Sequence, residues 1–227
     1  MKLLIYNILF ITSVLCTACL SENPTGNMDN KIETRKHTLI KPGPEKGKEA
    51  AINIYIPLEN RTNNDYLPLS SWTVLGERIT GRLILNFDLD FGERTILIDS
   101  VLLNLHLITH SDDSPTFEGN SGENAFYIRR VIEDWDTETV TWVNQPKYTN
   151  QYQVLVPAIK SKSTGVVKAN VTDLFCANWD ENLNRSNISF YLKLKKEKLY
   201  TQVYFASSHY PDSTKYPELE IFYREIE

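Results

Sequence analysis

From residue 51 to the end of the chain, apolar and polar positions alternate. Ile52, Ile54 and Ile56 alternate with Asn53, Tyr55 and Pro57, and Leu83, Leu85, Phe87 and Leu89 with Arg82, Ile84, Asn86 and Asp88. Val101, Leu103, Leu105 and Leu107 do the same against Leu102, Asn104, His106 and Ile108. Phe190, Leu192 and Leu194 follow, then Val203 and Phe205, and Leu219, Ile221 and Tyr223 close the series. A period of two over four to eight residues is the signature of a strand with one face buried. About nine such runs can be counted, separated by turn-forming stretches such as Ser111–Pro115 and Tyr210–Ser213. Many alternating strands without a long 3.6-residue period predict an all-β fold, an antiparallel β-sandwich that is jelly-roll-like. One short helical turn is expected at 172–179, with Thr172 as its cap and Asp173 at the positive end of the dipole.

The first fifty residues follow other rules. Met1-Lys2 and the apolar stretch Leu3–Leu15 precede Leu15-Cys16-Thr17-Ala18-Cys19, which resembles the lipobox of bacterial lipoproteins. That resemblance implies a signal peptide over 1–18 and a lipid on Cys19. Residues 19–50 are polar and rich in Pro and Gly, and read as a flexible tether ahead of one domain at 51–227. Leu20 follows the modified cysteine where an inner-membrane retention aspartate would stand. Export to the outer membrane is therefore expected, with periplasmic or surface orientation left open. With Cys16 and Cys19 so used, only Cys176 remains; no intramolecular disulfide can form, and Cys176 reads as a buried small hydrophobe. A net charge of −5 argues against nucleic acid as a partner, and the membrane is reached through the lipid alone.

Four blocks, in order, resemble the DNRLRE-domain family of carbohydrate-binding-module-like β-sandwiches. The first is Trp72-Thr73 followed by Arg82-Leu83-Ile84-Leu85-Asn86-Phe87-Asp88-Leu89. The most specific runs from Arg130 to Pro146 and holds Trp135, then Thr139-Val140-Thr141-Trp142, then Asn144-Gln145-Pro146. Asn170–Leu174 with Trp179, and Phe205–His209 with Pro217–Ile221 and Tyr223, complete the set. Where the family has an Asn-Tyr-Gly turn, this chain reads Asn63-Asn64-Asp65-Tyr66-Leu67-Pro68, so nothing is carried over at that loop. The resemblance implies a jelly-roll-like fold and polysaccharide recognition.

Candidate binding residues come from the strand faces turned away from the core. Arg82, Asn86, His106, Tyr191, Lys193 and Tyr204 all fall there. Tyr127 and Arg129 join them if Phe126 and Ile128 take the inner face. Such side chains offer planar faces for stacking and donors for hydroxyls or carboxylates. Trp72, in a polar, loop-like setting, is the indole best placed to stack on a sugar. Trp135, Trp142 and Trp179 read as core residues, with Val140 and Trp142 on one strand face. Lys193, Lys195, Lys196 and Lys198 could attract an anionic polysaccharide or protect an edge strand.

No catalytic constellation is apparent. His37, His106, His110 and His209 lack metal spacing, and Glu133, Asp134, Asp136 and Glu138 cluster beside a turn. No cofactor is expected; a structural Ca²⁺ stays open, without a calcium-loop motif to support it. The function expected is non-catalytic polysaccharide binding. A structural or adhesive protein that binds another protein is the alternative, and a polysaccharide hydrolase or lyase the third.

Overall fold

A computed structural model describes residues 33–42, 48–92, 94–108, 120–160, 163–181 and 187–226. The signal peptide, Cys19, His110 and the Pro/Gly stretch at 43–47 lie outside the described residues. Twelve strands are present among those described: β1 (Glu33–Ile40), β2 (Lys48–Asn53), β3 (Asn60–Arg61), β4 (Tyr66–Val74), β5 (Glu77–Asp88), β6 (Ile96–Leu107), β7 (Phe126–Val131), β8 (Tyr148–Val156), β9 (Gly165–Asn170), β10 (Asn187–Leu194), β11 (Thr201–Ala206) and β12 (Glu218–Ile226). One helix, α1 (Thr172–Glu181), precedes β10.

The first sheet runs β1-β12-β6-β11-β4, with β9 also on β6. The second joins β3, β2, β5, β10, β7 and β8. Every pairing is antiparallel. Strand β5 belongs to both: Glu77–Thr80 pair with β4, and from Gly81 onward the partners are β2 and β10. Gly81 sits at the crossing, where an added Cβ would lie 3.0 Å from the Pro68 carbonyl oxygen. A side chain there would push the two sheets apart.

The expected alternation builds the core. Leu83, Leu85 and Phe87 meet Val101, Leu103 and Leu105 across the sandwich, with Phe126, Ile128, Phe190, Leu192 and Phe205 between them, all buried. Phe126 and Ile128 do take the inner face, which turns Tyr127 and Arg129 outward. The helix closes one end of the core with Leu174 and Phe175, and Trp179 stacks on Phe175 at 5.9 Å.

Several expectations need correction. Residues 33–40, assigned to the tether, form edge strand β1, paired along its length with β12. Its sequence carries no apolar stripe because backbone pairing and polar contacts hold it: Lys36 lies 3.6 Å from Glu225, Lys41 just beyond it 3.1 Å from Glu218, and the His37 ring stacks on Phe222 at 4.5 Å. Lys48–Ala50 likewise open β2. Trp72 lies within β4, and Trp142 lies in a turn, where Asn144 Oδ1 accepts from the N–H and hydroxyl of Thr141. Thr172 does not cap the helix. Its N–H and hydroxyl donate to Asn170 Oδ1, while its own oxygen accepts the Val101 N–H at 2.9 Å. Cys176 is only half-buried. Strand β10 runs between β5 and β7, so Lys193 guards no edge, and Lys195, Lys196 and Lys198 lie beyond the strand's end.

One carboxyl is enclosed where the two sheets meet. Glu49 on β2 is 1 % exposed; its Oε1 accepts the Ser208 N–H at 2.8 Å and lies 3.9 Å from His209 Nδ1, while Oε2 has no partner. Burial pushes its pKa up to about 7, against the lowering effect of the Ser208 hydrogen bonds. A raised carboxyl pKa means that folding loses stability as the unfolded chain ionises first. The loss starts near the ordinary value of 4.5 and is complete once pH passes about 7, a total of roughly 3 kcal/mol. The melting temperature is therefore expected to fall between about pH 5 and pH 7.5, and Glu49→Gln should flatten that slope. A pH–melting profile by circular dichroism checks it; an unchanged slope in the variant refutes the assignment.

Candidate functional site

The outward side chains of the second sheet are gathered by its register. Tyr191 on β10 pairs with Ile84 of β5 and Arg129 of β7, and Ser189 pairs with Asn86. Arg82, Asn86, Tyr127, Arg129, Tyr191 and Lys193 therefore share one face. Water does not cover that face throughout. Residues 132–147 fold back across it, and Trp135, Trp142 and Tyr148 pack on a second apolar cluster of Ala50, Ile52, Ile84, Val131, Val140 and Tyr191. Tyr191 is fully buried there, stacked on Tyr148 at 4.5 Å, and burial pushes its phenol up to about 12.

Arg82 fastens this covering segment. Its guanidinium donates to both Glu197 carboxylate oxygens at 2.8 and 3.2 Å, to Gln145 Oε1 at 2.9 Å and to the Tyr191 hydroxyl at 3.2 Å. It also lies over the Trp142 ring, 4.2 Å from the centroid. Burial alone would lower its pKa, but the Glu197 carboxylate and the Tyr191 hydroxyl together outweigh that and the net shift is upward. Gln145 Oε1 also accepts the Tyr191 hydroxyl. From the other side, Asn60 Nδ2 donates to the Thr137 and Val140 carbonyls, both at 2.8 Å. Within the segment, Asp136 Oδ1 accepts the N–H groups of Glu138 and Thr139, and Glu133 accepts the Lys147 N–H at 2.9 Å.

A cleft of about 510 Å³ opens where the cover begins. Its walls come from Lys48, Asn86, Asn187 and Ser189 on the strands, Arg130 at the end of β7, Asn178 of the helix, and Glu133, Asp134, Trp135 and Asp136 of the covering segment. Ser189 Oγ accepts from both Asn86 Nδ2 at 2.8 Å and Trp135 Nε1 at 3.0 Å, which fixes the indole relative to the sheet. Lys48 is paired with Asp88 at 3.0 Å. Asn86 is 8 % exposed, and its Oδ1 has no hydrogen-bond partner. Asp134, Trp135 and Asp136 also line a shallower depression of about 400 Å³ shared with Thr139, Val140 and Asn144.

The other sequence candidates lie elsewhere. Trp72 and Tyr204 line a separate groove of about 180 Å³ with Tyr66 and Arg61. The Trp72 ring meets Tyr200 edge-on at 5.1 Å, and Tyr204 is nearly buried, its phenol raised by burial. His106 is on the outer face of the first sheet, where burial lowers its pKa against the opposing charge of Glu218. Lys193 pairs with Glu197 at 3.7 Å, and Arg129 lies 4.9 Å from the ring centres of both Tyr127 and Tyr148. Among the described residues no group of three or more His, Cys, Asp or Glu side chains could hold a metal ion.

The sequence reading singled out Asn86 in this cleft but not Lys48, Arg130, Trp135, Asn178, Asn187 or Ser189. One signal was available: Trp135 stands between Asp134 and Asp136, a poor flank for a core residue.

Comparison with known families bears on this geometry. The model of carbohydrate-binding module family 96 matches residues 85–223. The chain belongs to that family. The match takes in the cleft residues Asn86, Arg130, Trp135, Asn178, Asn187 and Ser189, and leaves Lys48, Trp72 and Arg82 before its start. No curated protein matches the chain.

The family 96 module in this chain should depend on Arg82 for stability. Arg82→Met leaves Glu197 without its main partner and frees the covering segment, at a cost of about 2–4 kcal/mol. Urea unfolding measures it; a loss below about 1 kcal/mol contradicts the clasp.

Proposed function

We propose that this protein is an exported, lipid-anchored polysaccharide-binding module of the DNRLRE type that performs no chemistry on its ligand. One observation carries the reading: in a chain of a carbohydrate-binding module family, a half-buried indole stands in a polar cleft beside fixed amide, hydroxyl and carboxylate groups. A pyranose ring presents axial C–H bonds to an aromatic face and hydroxyls around its rim, and the cleft offers partners to both. The Ser189 bond fixes the indole in advance, so little side-chain entropy is lost on binding.

Two of the three carboxyls of the cleft support a non-catalytic role. A hydrolytic general acid needs a raised pKa. Glu133 is held below the usual carboxylate range, first by the Lys147 N–H and then by its ammonium group. Asp136 is committed to its turn. Glu49, whose pKa is raised, is enclosed away from the cleft.

Anchoring would come from the lipid on Cys19, with outer-membrane residence and a membrane contact limited to that lipid. Neither nucleic acid nor a cofactor enters this reading.

Glycan-array binding of the labelled full chain tests it. Saturable binding to one polysaccharide class is expected, and Trp135→Ala should weaken it at least about tenfold while shifting the melting temperature by only a few degrees. Silence across a broad array from folded protein would turn the reading toward a protein partner. In cells, Cys19→Ser should abolish incorporation of labelled palmitate; retained label places the lipid elsewhere or removes it from the account.

A further inference from the structure

We propose that the end of the sandwich formed by the β4–β5 hairpin is a self-association surface, through which two copies of this chain form a two-fold dimer. Such a dimer is independent of the sugar-binding reading. Thirteen large apolar side chains are exposed among the described residues, and eight of them gather at this end. Val74 and Leu75 occupy the hairpin tip. Leu199 and Tyr200 lie in the neighbouring β10–β11 loop, where the Tyr200 ring meets Trp72 edge-on at 5.1 Å. Ile54, Tyr55 and Leu58 follow β2, and the Ile54 N–H donates to the Thr80 carbonyl at 3.1 Å. Val143, the eighth, donates its N–H to the Pro57 carbonyl at 3.3 Å. Together they expose on the order of 800 Å², above the largest patch of an ordinary monomer and about what each partner gives to a standard interface.

A two-fold contact needs a surface that fits itself, and this end carries both halves of such a fit. Leu75 is the projecting half. With Gly76 it forms a two-residue turn between the paired Val74 and Glu77, at φ values of 52° and 86°. A turn of that kind favours Asn or Gly at its first position; leucine there suits neither the backbone nor the water around it. The receiving half is the groove of about 180 Å³ beside the hairpin. Trp72, Val74 and Ile79 wall it, and the small residues Ser70 and Gly81 leave room between them. A space of about 150 Å³ takes a benzene ring, so this groove admits one leucine side chain. At 93 % exposure Leu75 does not fill the groove of its own chain. About a two-fold axis, the Leu75 of each copy enters the groove of the other.

Among the described residues, charges of both signs border this surface. Arg78, Lys195 and Lys198 are exposed there, and so are Glu59 and Glu77. Arg78 donates to the Glu197 carbonyl, and Lys196 is paired with Glu123 at 3.3 Å. A two-fold contact therefore need not set one sign against itself. Residues 109–119 lie outside the described residues and form no part of the proposed contact. The Trp135 cleft is remote from it. Its floor residue Asn86 stands nine positions along β5 from Glu77, about 30 Å at the rise of an extended strand. Dimerisation at the hairpin end leaves both clefts open.

Sedimentation velocity on the full chain at about 1 to 100 µM decides it, with Cys19→Ser as background so that no lipid drives association. The expected result is a monomer–dimer equilibrium with a dissociation constant on the order of 10 µM or below. Leu75→Asn suits the turn; it should keep or raise the melting temperature while weakening the dimer at least about tenfold. Ile79→Gln, on the groove wall, should weaken it as well, and the two together should cost less than their sum because they remove one contact. A chain that stays monomeric at about 100 µM overturns the inference, and so does a dimer that Leu75→Asn leaves intact. Flotation with phosphatidylglycerol vesicles tests the other occupant. Vesicle binding by a chain that does not dimerise, abolished by Leu75→Asn, makes the hairpin end a lipid contact and also overturns it.

Discussion

Burial of Tyr191 and Ile84 on the outer face of the second sheet is the constraint from which the rest of the site follows. A strand in an antiparallel sandwich ordinarily turns one face to the core and the other to water. Here the middle strands of one sheet are apolar on both faces, and the second face needs a cover. Residues 132–147 supply it with two indoles and a tyrosine nearby. Covering that face takes the Arg82 guanidinium largely out of water. A charge so placed is tolerable only when its donors are answered, and Glu197, Gln145 and Tyr191 answer them, with the Trp142 ring below. The ion pair is better understood as a condition of the cover than as a source of surplus stability.

A cover fixed at both ends and internally capped has little freedom, and the cleft inherits that rigidity. Glu133 ties the start of the segment to Lys147 near its end, and Asn60 holds its middle from β3. The polar floor, Asn86 and Ser189, is part of the sheet itself. The cleft is therefore the margin of a covered face, where apolar packing gives way to polar groups that still have hydrogen bonds to make. Recognition by such a surface loses little entropy, because the groups that would bind are already ordered by the fold.

The fold was legible because the period of two survives in nearly every strand that contributes to the core. Leu83, Leu85 and Phe87, or Leu103 and Leu105, leave no choice of face once the period is seen. Strand β1 was not legible. Its pairing with β12 depends on backbone bonds and on charged partners far along the chain, and Pro42 and Gly43 just beyond it look like tether. The site was half legible for a related reason. Alternation says that Arg82, Asn86 and Tyr191 leave the core, but not what lies over them. The turn around Asn144, read as a strand continuing through Val140 and Trp142, conceals that 132–147 doubles back. Trp135 and Trp142 were read alike as core, yet one lines the open cleft and the other lies under a guanidinium. That difference is made by Ser189 and Arg82, more than forty residues away in either direction along the chain.

The molecule keeps two kinds of carboxyl environment apart in space. Of the carboxyls that reach solvent beside Trp135, Glu133 is held below the usual carboxylate range by the Lys147 N–H and ammonium, Asp136 is committed to its turn, and Asp134 is exposed. The carboxyl whose surroundings would suit proton transfer, Glu49, is shut between the sheets with a backbone N–H on one oxygen and nothing on the other. Glu49 thus lies inside the sandwich, while the indole of Trp135 stands among side chains that both donate and accept hydrogen bonds.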